Sequence, residues 1–197
     1  MKMFDGAKTN KELGDVALIN GDLVKAGNHY QTAIGLSLDL SLDFAPNFDF
    51  LGSIFFRSAL IAFAIGLDRE AVAYNSVALG IHQNKSLLFS IQSTLYATSI
   101  DSSVRNVPFA ILCARISQCL PFADPRHAEF SRVTLALALS NAGLHDDAEK
   151  TLCTVTSDKT CLIPGYATIA KAIELRVSIC TDSLVMAQWV TSVLELE

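Results

Sequence analysis

Charge is scarce in this chain. Only 18% of its 197 residues are Asp, Glu, Lys or Arg, against about 25% in an ordinary soluble domain. Hydrophobic residues make up 51%, which excludes intrinsic disorder, a state that needs low hydrophobicity and high net charge. Basic excess is missing too. The net charge is −5 and the pI near 5.3, so no positive field invites nucleic acid. The five cysteines, Cys113, Cys119, Cys153, Cys161 and Cys180, are odd in number and show no CxxC spacing. That excludes a disulfide framework or zinc knuckle as the organising device. They read as small buried apolar side chains in a reducing compartment, which predicts a cytoplasmic protein.

A long uninterrupted apolar run is also lacking. The greasiest stretch, Leu51 to Leu67, has Arg57 near its middle and Asp68-Arg69-Glu70 at its end. A membrane span wants ~20 apolar residues, and a central Arg costs ~2.5–3.5 kcal/mol. A buried helix is predicted instead, with no integral membrane span. The first ten residues show neither a secretory signal nor an Arg-rich presequence.

With five prolines and ten glycines, breakers are few, and the segments between them have helical periodicity. Helices are expected at Lys11–Asn20, Leu23–Leu36, Ser53–Ile65, Arg69–Ile81, Ser86–Thr98, Pro108–Leu120, His127–Asn141, Asp146–Val155, Tyr166–Cys180 and from Asp182 to about Leu196. Pro108 fits a first turn, where its missing N–H costs nothing, and Asp182 is a good N-cap. The alternating stretch Leu36 to Phe44 fits a short strand in its pattern, but is read as an extension of the second helix or a loop ending at Pro46. The fold class is all-α, about ten helices in antiparallel hairpins. The hairpins span about 9–36, 52–82, 86–120, 127–156 and 166–196, with an insertion at 37–51, in a single domain. A small residue recurs early in each second helix: Ala26, Ala71, Ala110, Ala148 and Ala187. Alanine there lets two helices lie close, and a near-constant period of hairpins predicts a solenoid.

These residues resemble tetratricopeptide repeats. The first hairpin carries Leu13-Gly14, Asn20-Gly21-Asp22, Ala26, Tyr30 and Ala33. The second has Phe55, Ala59, Gly66, Ala71, Tyr74 and Ala78-Leu79. Phe89, Ser93 and Tyr96 fill the slots of a third first-helix, and Leu135-Ala136, Leu139, Gly143 and Ala148 those of a fourth. The last hairpin fits as a capping unit. The resemblance implies a right-handed solenoid that binds protein. Leu38 stands where the family commonly closes the motif with proline.

The start, Asn10-Lys11-Glu12-Leu13-Gly14-Asp15, is similar to co-chaperone repeat domains that clamp a carboxy-terminal acidic peptide. Such a clamp needs Lys, Arg and Asn side chains giving charge-assisted bonds to a carboxylate. Lys11 fills the first slot. Asp15 stands in the place of an Asn and repels a ligand carboxylate. Arg57 takes the next Asn slot and is placed to pair with Asp15. Leu87 and Ile91 replace the two basic residues. A clamp is therefore not expected. Lys11, Asp15, Arg57, Leu87 and Ile91 are instead the candidate protein-binding residues of an apolar groove. Trp189 joins them, either capping the final core or anchoring an interface.

Catalytic signatures are wanting. No GxxxxGK[ST], GxGxxG, GxSxG or HExxH occurs. His145-Asp146-Asp147 and Asp124-Arg126-His127 read as helix entries. Cys113 and Cys119 are expected to be buried. No catalytic, cofactor or metal residue is assigned. The expected function is a non-catalytic scaffold or adaptor holding a segment of another protein. A resident subunit of a larger assembly is the alternative, and an all-helical enzyme with a pocket between hairpins the second. The expected partner is a protein or peptide segment, a second copy of the chain being one candidate.

Overall fold

The computed structural model describes residues 2–41, 47–122, 124–155, 163, 165–180 and 186–194. Among them the chain is all-α, with ten helices and no strand. These are α1 (Lys2–Ile19), α2 (Leu23–Ser41), α3 (Phe48–Ala64), α4 (Asp68–Ile81) and α5 (Lys85–Thr98). They continue with α6 (Val107–Cys119), α7 (Pro125–Asn141), α8 (His145–Leu152), α9 (Tyr166–Glu174) and α10 (Met186–Leu194). Consecutive helices pair as α1·α2, α3·α4, α5·α6 and α7·α8, and α9 packs on α7 and α8. The chain divides into two compact units, Met1–Gln83 and Asn84–Glu197.

Helix starts follow local chemistry. Asn47, Asn84, Asn106 and Asp124 each accept a hydrogen bond from a first-turn N–H, satisfying a donor the helix cannot. Pro108 and Pro125 lie in first turns, where no N–H is needed. The ends of α1, α3 and α7 share one device. Gly21, Gly66 and Gly143 sit at φ +76°, +78° and +78°. Each closes a paired reverse turn, as in Gly66 N–H to Phe63 O (3.1 Å) and Leu67 N–H to Ala62 O (2.8 Å). Arg176 does the same at φ +54°, through Arg176 N–H to Ile173 O and Val177 N–H to Ala172 O, both 3.0 Å.

Small residues set the helix spacing. Ala26, Ala71, Ala110 and Ala148 are all fully buried; the side chain of Ala187 lies outside the described residues. In the second unit Ser86, Ser90 and Ser117 form a buried hydroxyl cluster between α5 and α6. Ser117 Oγ donates to Ser86 O at 2.8 Å and lies 2.8 Å from Ser90 Oγ. The apolar side of α5, with Leu88 and Leu95, is buried as well.

Three expectations need correcting. The first helix starts at Lys2 rather than Lys11, and the expected insertion at 37–51 is helical at both ends, in α2 to Ser41, as the extension reading of Leu36 to Phe44 has it, and in α3 from Phe48. Helix α9 stops at Glu174, not Cys180, because Leu175 and Arg176 turn the chain and residues 177–180 run on without helix. Cys119 and Cys153 are exposed and Cys180 is half-buried, while Cys113 is buried. The proposed cap Asp182 and Cys161 lie outside the described residues.

The left-handed turns are testable. An L side chain pays about 1–2 kcal/mol in that conformation. A Cβ at Gly66 would meet nothing within 4 Å, so the cost there is purely conformational. Gly66→Ala is expected to lower stability by about 1 kcal/mol, and Arg176→Gly to raise it by about 0.5–1 kcal/mol. Arg176 loses only an exposed pair to Asp146, and such pairs contribute little. Urea unfolding of both variants measures the two signs.

Candidate functional site

In the first unit three helices converge on one carboxylate. Lys11 and Asp15 stand one turn apart on α1, and Lys11 Nζ reaches Asp15 Oδ2 at 2.8 Å. Gly14, beside them, faces the ring of Tyr30, which any Cβ there would overlap. That contact brings α2 close enough for the Tyr30 hydroxyl to donate to Asp15 Oδ1 at 2.6 Å. Arg57 comes from α3 and donates through Nε to the same oxygen at 2.7 Å. Its guanidinium is braced by Ser53, whose Oγ accepts at 2.7 Å and whose carbonyl accepts at 3.3 Å. The arginine inside the greasiest stretch of the chain thus ties α3 to the first hairpin. Among the described residues no helix is long and apolar enough to cross a membrane.

Burial alone would raise the Asp15 carboxyl. The hydrogen bonds from Lys11 and Tyr30 and the charges of Arg57 and Lys11 outweigh it and hold the group below its ordinary value of 3.8. Chemically this is a carboxylate receptor filled by the protein's own Asp15. An incoming carboxylate has to displace a tethered one, which is present at high effective concentration.

The other candidate residues lie elsewhere. Leu87 and Ile91, on α5 of the second unit, are each 1% exposed, so they are core side chains rather than the lining of an open groove. Trp189 is buried and packs against Phe130 of α7, ring centroids 6.4 Å apart. His145, Asp146, Asp147, Lys150 and Arg176 border a shallow depression of about 300 Å³. Its charges pair among themselves, Arg176 with Asp146 at 2.9 Å and Lys150 with Asp147 at 3.6 Å. Asp124 and Arg126 pair at 2.7 Å as a helix entry, and His127 behind them is buried. No group of three or more His, Cys, Asp or Glu among the described residues is placed to hold a metal ion.

Comparison of the chain with family models, curated proteins and solved structures finds no match.

Two contributors were not singled out from sequence for these sites. Tyr30 is visible there only as a helix-face aromatic, since its bond to Asp15 depends on how closely α2 lies on Gly14. Asn141, which bonds backbone 38 residues away, leaves no local signal.

Hydrogen bonds to a charged group contribute about 1.5–3 kcal/mol each when buried. The Asp15 group is partly exposed, so Arg57→Ala is expected to cost about 1–2 kcal/mol. The pH dependence has a definite sign. The folded carboxyl titrates below its unfolded value, so its contribution is complete above that value and is lost as pH falls through the folded one. The stability gap between wild type and Asp15→Asn should be flat near neutrality and shrink below about pH 4, as read by thermal unfolding across pH. Leu87→Ala should cost about 2–5 kcal/mol as a core truncation; a denaturant midpoint unchanged from wild type would count against its core role.

Proposed function

We propose that the chain is a non-catalytic helical-repeat scaffold of the tetratricopeptide kind, which holds a segment of another protein against the exposed face of its first hairpin. One observation carries this reading. Leu13, Val16 and Ile19 follow one another at three-residue steps on α1, and Val24 lies in the first turn of the next helix. They are 45%, 57%, 75% and 71% exposed. Exposed apolar residues gathered on one helix face mark contact surfaces. The recurring glycine turns and fully buried alanines support the repeat assignment. The filled Asp15 receptor supports an apolar contact over a clamp for a terminal carboxylate.

A resident subunit of a larger assembly is the second reading. It is favoured by the low charge content together with a mean hydropathy of +0.37.

The test replaces two side chains of the face at once, Val16→Asp with Ile19→Asp. Both are solvent-exposed, so circular dichroism and the melting temperature should stay near wild type. Affinity capture from the native source, quantified against wild type, should lose the specific partner at least tenfold. Equal recovery by the folded double variant would show that this face is not the contact. A chain that stays soluble and discrete by light scattering favours the scaffold, whereas one that self-associates through this face favours the assembly subunit.

A further inference from the structure

Beyond α9 the chain leaves its helix without starting another at once. Arg176, in its left-handed conformation, redirects it, and residues 177–180 run without helix or turn. Val177 and Ser178 are exposed, but Ile179 is 1% exposed. Ile179 is the buried anchor of this stretch. Its backbone is met by the side chain of Asn141. Asn141 Oδ1 accepts from the Ile179 N–H at 2.8 Å, and Asn141 Nδ2 donates to the Ile179 carbonyl at 2.8 Å. The same Nδ2 donates to the carbonyl of Ala97, near the end of α5, at 2.9 Å. That third bond fixes which end of the amide is donor and which acceptor.

A primary amide so placed offers a peptide the same donor and acceptor that a neighbouring strand would. It reads any extended backbone, and the buried side chain at the centre supplies the selectivity. We propose that Asn141 and the pocket taking Ile179 form a docking site for an extended peptide with a β-branched aliphatic residue. In the free protein the chain's own Val177–Cys180 occupies it as a strap. A partner segment of the same chemistry takes the site by displacing the strap. Two observations make the strap exchangeable. It is joined to α9 through a residue whose left-handed backbone is disfavoured for an L side chain. Between that residue and Ile179 it is solvent-exposed, and segments with few buried contacts open locally. The site is built from residues of the second unit alone, so it extends the scaffold reading without resting on the α1 face.

The purified full chain is enough for the test. Amide hydrogen exchange on wild type should show the Ile179 N–H exchanging at least 100-fold faster than that of Leu137 in the middle of α7. Equal protection of both would mean that the strap opens only with global unfolding, and would overturn the proposal. The second arm weakens the strap with Ile179→Ser and titrates a blocked synthetic peptide spanning Leu175 to Cys180, its cysteine replaced by serine. Binding should be at least tenfold tighter than to wild type and absent from the Asn141→Ala/Ile179→Ser chain. A peptide with Asp in the isoleucine position should not bind. Failure of the native-sequence peptide to bind the folded Ile179→Ser chain, or equal binding without Asn141, overturns the idea. If Ile179→Ser does not fold, the exchange measurement on wild type decides.

Discussion

Close approach between helices is the constraint on which the rest of this structure depends. It is met where side chains are nearly absent. Gly14 lies under the Tyr30 ring, and a Cβ at Gly52 would come within 2.8 Å of His82 Cβ and 3.0 Å of its Cα. A fully buried alanine recurs early in the second helix of four successive hairpins. Helices packed this closely leave little room for long charged side chains, and much of the charge deficit in the composition follows from that. The buried hydroxyls of Ser86, Ser90 and Ser117 obey the same rule. They are small enough to sit between α5 and α6, and they bond to one another or to helix carbonyls, so their polarity is not left unmatched.

Because charges are few, where they are used is informative. Two cations and a tyrosine are committed to Asp15 inside the first unit. The closeness of α1 and α2 comes first here, since the Tyr30 hydroxyl reaches the carboxylate only across a glycine. The charge cluster then joins α3 to that pair. Packing and electrostatics are thus in series, and a bulkier residue at position 14 would disturb both. The depression bordered by Asp146, Asp147, Lys150 and Arg176 differs in kind. Its pairs are solvent-exposed and contribute little to stability.

Much of the architecture was legible in the residues. The all-α class, the helix count, the entries at Pro108 and Pro125 and the turns at Gly21, Gly66 and Gly143 follow from local rules of capping and conformational freedom. The pairing of Arg57 with Asp15 could be read because two opposite charges fell on corresponding positions of successive hairpins. What escaped was set by tertiary contact. Leu87 and Ile91 look like groove residues by their slots in a repeat, yet packing places them in the core. The early end of α9 escaped because a helix-favouring run, Ala170 to Arg176, is overruled by a turn that borrows arginine for a glycine's task. The backbone of Ile179 is then taken up by Asn141. Such a side chain-to-backbone bond has no sequence periodicity to betray it.

The glycine turns have a consequence for how such a chain can grow. Each one closes its helix with hydrogen bonds drawn entirely from its own backbone, and the space around the missing Cβ of Gly21, Gly66 and Gly143 is empty. A corner of this sort asks nothing of its neighbours. When a stretch of coding sequence containing one is duplicated, the copy arrives with its bend already complete, and only the apolar face between hairpins has to be refitted. The last such turn, built on Arg176, keeps the same two backbone bonds although an L side chain occupies the left-handed position.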